Sequence, residues 1–198
     1  MRATDDFAWL DEVSAELRGI IAETSTLRSG DSEIANLDPV VARVQSRGLD
    51  IPQTFLRFMR DTSLHGKVPS CTACFLSLSE DAIAIPGAED YFLLRFMNDS
   101  QSCVLWYLLM SRDEIAGVVA SPYFFDKNIF EGMQYTDEFD DERVNYKNAF
   151  KEASICADTF AEFMYRFWVE NTIWYSLYKR LGLTAVQEEY LGQITKKL

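Results

Sequence analysis

The stretch RFMNDSQSCVLWYLLM, residues 95–110, decides the fold. Two strongly apolar runs flank Asn98, Asp99, Ser100 and Gln101, and such a polar cluster is either a reactive site or a turn. Asn, Asp and Ser tolerate unusual backbone angles and hydrogen-bond to their own main chain, so the cluster reads as the turn of a hairpin. Its flanks are then strands. Outward from it, TACFLSLS (72–79), YFLLRFM (91–97), SCVLWYLLM (102–110) and GVVASP (117–122) are short runs rich in aromatic and β-branched residues, separated by turn formers such as Pro86-Gly87. The expected class is α+β: a mainly antiparallel sheet of four to six strands with helices packed around it.

The helices are legible on both sides of the sheet. Phe7, Leu10, Val13, Leu17, Ile20 and Ile21 recur at three- and four-residue steps and predict one amphipathic N-terminal helix. Asp38 followed by Pro39 reads as a cap and first turn, opening a short helix that ends near Gly48. Pro52 opens another, with Phe55, Leu56, Phe58 and Met59 on its buried side and an end before Gly66. Asp158 is placed to cap a long helix, ADTFAEFMYRFWVENTIWYSLYKRL, stopped by Gly182. Thr184 and Gln187 form a capping-box pair for a last helix that ends in lysines.

A chain of 198 residues that is 48% hydrophobic and 14% aromatic buries enough apolar area to fold, and a single domain spanning 1–198 is expected. No run approaches the roughly 18 consecutive apolar residues of a membrane span. The opening MRATDDFAWLDE has acids where a secretion signal needs hydrophobes, so a cytoplasmic protein with reduced thiols at Cys71, Cys74, Cys103 and Cys156 is expected. The net charge of −12 opposes nucleic-acid binding and favours a basic protein partner. It is uneven: residues 1–38 hold nine acids against three bases, and residues 126–146 hold seven against two.

The residue chemistry gives little support to catalysis. Cys71-x-x-Cys74 has no second pair to complete a zinc site, and it precedes a strand instead of the helix N-terminus that would activate a thiol. Cys74 and Cys103 read as small buried thiols within strands. His65, the only histidine, reads as a solvated loop residue, and a Cys71–His65 pair lacks a third orienting group. Asp99 is the best placed general acid, against its simpler reading as a turn residue. No phosphate-binding glycine loop or nucleophile elbow is present, and neither a cofactor nor a metal is assigned.

The period is lost from Tyr123 to Tyr146, where a long surface loop carries a dense acidic run. Asp137, Glu138, Asp140, Asp141 and Glu142 would steer a basic partner, with Tyr135 and Phe139 as apolar anchors among them. These seven residues are the candidate partner-binding site.

The order of an acidic N-terminal helix, LDIPQTFLRFM, the hairpin FMNDSQSCVLWYL, GVVASP and the aromatic helix ADTFAEFMYRFWVEN is similar to the SUKH superfamily, the Smi/Knr-like domain. The resemblance runs from about Leu49 to Tyr178, leaving an N-terminal helical extension and a C-terminal helix outside it. Pro52, Phe55 and Phe58 match the family's early proline-aromatic helix, and Phe160 and Phe163 its closing helix. Where members often place an Asn-Gly turn, this chain has Arg60 to Gly66. The resemblance implies an immunity protein that neutralises a nuclease-type toxin. The alternatives are a regulatory or scaffold protein of the same fold acting as a homo-oligomer, or a small hydrolase using carboxylates or Cys71.

Overall fold

The computed structural model describes residues 6–23, 26–29, 36–85, 87–112, 115–126 and 150–196. In chain order they form α1 (Ala15–Glu23), β1 (Arg28–Ser29), α2 (Leu37–Ser46), α3 (Gln53–Arg60), α4 (Thr62–His65), β2 (Phe75–Leu76), β3 (Ile83–Ile85), β4 (Ala88–Asn98), β5 (Leu105–Ser111), β6 (Ile115–Ser121), β7 (Ser154–Ala157), α5 (Phe160–Tyr178) and α6 (Ala185–Ile194). The chain is α+β, as its sequence predicts. Along the sheet the order is β1-β2-β4-β5-β6-β7, with β3 joining β4 on the same edge as β2. All pairings are antiparallel except the two-residue match of β1 with β2.

The hairpin lies within residues 95–110, but its turn is shifted: Asn98 belongs to β4, buried and paired with Leu105, and not to the turn. β4 and β5 pair from Tyr91↔Ser111 to Asn98↔Leu105. The connection spans Asp99 to Val104: Asp99 N–H donates to the Val104 carbonyl, and Ser102 takes a left-handed φ of 56°. From Phe92 onward β4 is buried on both faces, and β5 is buried or half-buried throughout, which is why they read as continuous apolar runs without alternation. Phe92, Leu94, Phe96, Leu108, Met110 and Val118 point into one hydrophobic cluster. Leu93, Leu105, Tyr107 and Val119 point into another, on the opposite face.

The inner cluster is aromatic. Phe160, at the start of α5, meets Phe55 at 5.2 Å, Phe96 at 5.5 Å and Phe58 at 5.7 Å between ring centroids, all edge-on. Trp9 closes the far end against Trp168 and Tyr165. The outer face of the sheet is covered differently: among the described residues, Phe125, Tyr123, Phe124, Phe150 and Ala153 pack there, and none of them belongs to an α-helix.

Several expectations are corrected. The N-terminal helix is broken: a 3-10 turn at Ala8–Asp11 precedes α1, and the Ser14 hydroxyl accepts from Leu17 N–H to restart the helix. The tight turn buries Trp9 beside Leu10, which a uniform 3.6-residue period does not foresee. Asp38 lies inside the first turn of α2 and pairs with Arg60 at 2.8 Å, so it is not the cap. Thr159 caps α5 in place of Asp158, accepting from Glu162 N–H at 3.1 Å. Arg180, at φ 58°, turns the chain after α5 before Gly182 is reached. The capping box of Thr184 and Gln187 is formed. β1, β3 and β7 were not foreseen, because strands of two to four residues at sheet edges carry too few positions for a period.

Candidate functional site

Tyr135, Asp137, Glu138, Phe139, Asp140, Asp141 and Glu142 lie outside the described residues. Residues 121–126 and 150–153, on either side of that segment, are held to the outer face of the sheet, the first by a buried polar network and the second by apolar packing.

Arg95 is the centre of it. It projects from β4 on the outer face and is only 3% exposed. Its Nε donates to both oxygens of Asp126, at 2.9 and 3.0 Å, and its Nη2 to Oδ2 at 2.6 Å. Nη1 donates to the Ser77 carbonyl at 2.8 Å, to the Ser77 hydroxyl and to Asn98 Oδ1 at 3.1 Å. The Phe124 ring lies over the guanidinium, 5.2 Å from centroid to Cζ. Beside this, the Tyr107 hydroxyl donates to the Tyr123 carbonyl at 2.8 Å and accepts from Phe125 N–H at 3.2 Å. Burial pushes the Tyr107 phenol well above its ordinary range, so it stays protonated and keeps both bonds. Phe125 stacks on Phe150 with centroids 4.1 Å apart and planes 13° from parallel. Residues 123–126 and Phe150 therefore both pack on the outer face of the sheet.

The sequence places Asp126 as the first acid of the 126–146 run, whereas the structure pairs it with Arg95. It is buried and neutralised by Arg95, so it contributes no charge to a partner surface. One signal pointed to it: Arg95 is the sole charged residue in YFLLRFM.

The catalytic candidates take structural roles. Asp99 Oδ1 accepts from Cys103 N–H at 2.7 Å and Val104 N–H at 3.1 Å, which is turn chemistry. Burial raises the thiol pKa of Cys71, Cys74 and Cys156, the reverse of nucleophile activation. Cys74 is buried as expected, but Cys103 is exposed, because the turn extends to Val104 and keeps it outside β5. Among the described residues, no group of three or more His, Cys, Asp or Glu side chains is placed to hold a metal ion.

His65 is not solvated. It closes α4, is buried against the Phe58 ring at 4.9 Å, and donates from Nε2 to the Phe58 carbonyl at 2.8 Å. Among the described residues, its Nδ1 has no partner. Burial lowers its pKa below 6.5, opposed more weakly by the Phe58 carbonyl and the Asp61 charge. A group whose folded pKa is depressed and whose charged form is the protonated one binds more protons when unfolded. Its contribution is thus complete above pH 6.5 and lost as pH falls through that value towards the folded pKa. His65 is the only histidine, so little else titrates between about pH 6.5 and 5. Urea midpoints should fall across this window in the wild type and stay level in His65→Gln. A level wild-type curve would show that His65 is solvated after all.

The described surface carries two other features. Asp11 pairs with Lys67 at 2.9 Å and with Arg18 at 3.3 Å, and the Lys67 bond chiefly holds its carboxyl below the ordinary value. With Asp38 bound to Arg60, part of the N-terminal negative charge is matched within the chain. At the end of α5, Trp174 and Tyr178 stack at 4.9 Å beside Leu177, and these side chains are 43%, 65% and 61% exposed. Among the described residues, no helix is long and apolar enough to cross a membrane.

No protein-family model, no curated protein and no solved structure matches the chain.

Proposed function

We propose that this chain is a non-enzymatic protein-binding module of SUKH type, a cytoplasmic immunity protein that neutralises a nuclease-type toxin through an acidic surface. A nuclease presents a basic cleft to its substrate, and an inhibitor covering that cleft gains from carboxylates that steer encounter and aromatic rings that bury on contact. Tyr135, Asp137, Glu138, Phe139, Asp140, Asp141 and Glu142 supply both in one short run. One observation carries the reading: both ends of the chain around that run are fastened to the sheet, by Arg95 on Asp126 and by Phe125 on Phe150. Fastened ends reduce the ordering that binding must impose.

A second reading, a regulatory or scaffold homo-oligomer, draws on the exposed Trp174, Leu177 and Tyr178. One sedimentation series separates the two. The chain is run alone at low concentration and again with a candidate nuclease-toxin domain from its genomic neighbourhood. A monomer that shifts to a heterodimer supports the first reading, and a dimer indifferent to the toxin supports the second. Neutralising the five carboxylates (Asp137→Asn, Glu138→Gln, Asp140→Asn, Asp141→Asn, Glu142→Gln) should weaken the heterodimer by on the order of a hundredfold at low salt and flatten its salt dependence. Unchanged affinity would remove the acidic run from the interface.

A further inference from the structure

We propose that Arg95 and Asp126 are positioning residues, the closing contact of a clip that fixes residues 121–126 on the outer face of the sheet and that opens while the inner core stays folded. The role of the acidic segment as a contact surface rests on the reading above; the clip itself rests on the described residues alone.

Stability by itself is a poor reason for the pair. Two buried charges lose their hydration, and an apolar pair of similar volume often serves a fold as well. What the guanidinium adds is direction. Its forked donors hold Asp126 on one side and Ser77 and Asn98 on the other, tying three separate pieces of chain to one point on the outer face. Residues 123–126 lie in neither helix nor strand, so side-chain ties set their place: Ser121 Oγ on Tyr123 N–H, Tyr107 on Tyr123 and Phe125, and Arg95 on Asp126.

The outer layer is also separable. Phe125 and Val119 belong to a cluster with Leu93, Leu105 and Tyr107, whereas Phe55, Phe96, Phe160 and Trp168 form the core on the other side of the sheet. Lifting residues 121–126 and 150–153 would uncover the first cluster and leave the second intact. Layers with few helical or ladder bonds open at lower free energy than the core they cover.

Hydrogen exchange on the full chain, read by peptide mass, tests this without any partner. In Asp126→Asn, amides in 121–126 and 150–153 should exchange about tenfold faster or more, with α5 and the β4–β5 pair unchanged. Phe150→Ala, which leaves the ion pair in place, should raise exchange at 150–153 while 121–126 stays protected, and it supplies the readout if Asp126→Asn does not fold. Unchanged exchange in the outer layer overturns the clip, and so does an equal rise throughout α5, which would make the pair a global stabiliser. Failure of the wild type to bind the toxin domain would overturn the immunity reading and leave this exchange result standing.

Discussion

Phe160→Ala should destabilise the fold by about 3–5 kcal/mol, the range for truncating a fully buried phenylalanine. The ring is 1% exposed and is the point where α5, α3 and β4 meet, edge-on to Phe55, Phe58 and Phe96. Three ring contacts are lost together with the transfer term. The cavity cannot readily close, because its walls belong to a sheet and two helices that are fixed by other contacts. Phe160→Leu keeps most of the volume and should cost about 1–1.5 kcal/mol. Urea unfolding followed by tryptophan fluorescence measures both. A loss below about 1 kcal/mol for the alanine variant would mean that α5 docks without this ring.

The same residue shows what was legible. Helices announce themselves locally, through spacing and caps, so the buried side of α3 (Phe55, Leu56, Phe58, Met59) and the capping box at Thr184 were read correctly. The long strands were legible as apolar runs because both faces of the sheet are covered. Edge strands were not. β7 is four residues long, with Ile155 69% exposed and only Cys156 and Ala157 turned to the core, too short for a period to show, and it is held by its pairing with β6. Cap identity also depends on geometry that two neighbouring candidates share, which is how Asp158 stood in for Thr159.

The candidate site was legible in composition and not in contact. The acidic run is visible in the letters, but the Arg95–Asp126 pair joins residues 31 apart, and nothing local in FFDKN marks Asp126 as an internal carboxylate. His65 illustrates the reverse error. Gly66 and Pro69 suggested a solvated loop, whereas Asp61 starts a second short helix by accepting from Ser63 N–H, and that turn carries the imidazole under Phe58. Local turn chemistry created a buried position that local polarity denied.

Gly117→Ala should cost on the order of 3 kcal/mol and loosen β7 first. Gly117 sits in β6 at φ 116°, a conformation that side chains rarely adopt. A Cβ there would lie 2.4 Å from the Ala157 carbonyl oxygen and 3.4 Å from Asp158 Cα, both backbone, so no side-chain rotation relieves the contact. Relief requires β7 to move off β6, breaking the Val118↔Ala157 register. β7 runs directly into the Thr159 cap and Phe160, so the displacement passes to the ring that holds the inner core. Two independent penalties, a strained φ and a backbone collision, thus act at one position. The clip proposal adds an order of events: β7 also follows Phe150 in the chain, so its detachment should raise amide exchange at 150–157 before α5 loosens. Calorimetry gives the total loss and peptide-resolved exchange gives the order. A near-wild-type melting temperature with protected 154–157 amides would show that β6 and β7 pair less closely than 2.4 Å demands.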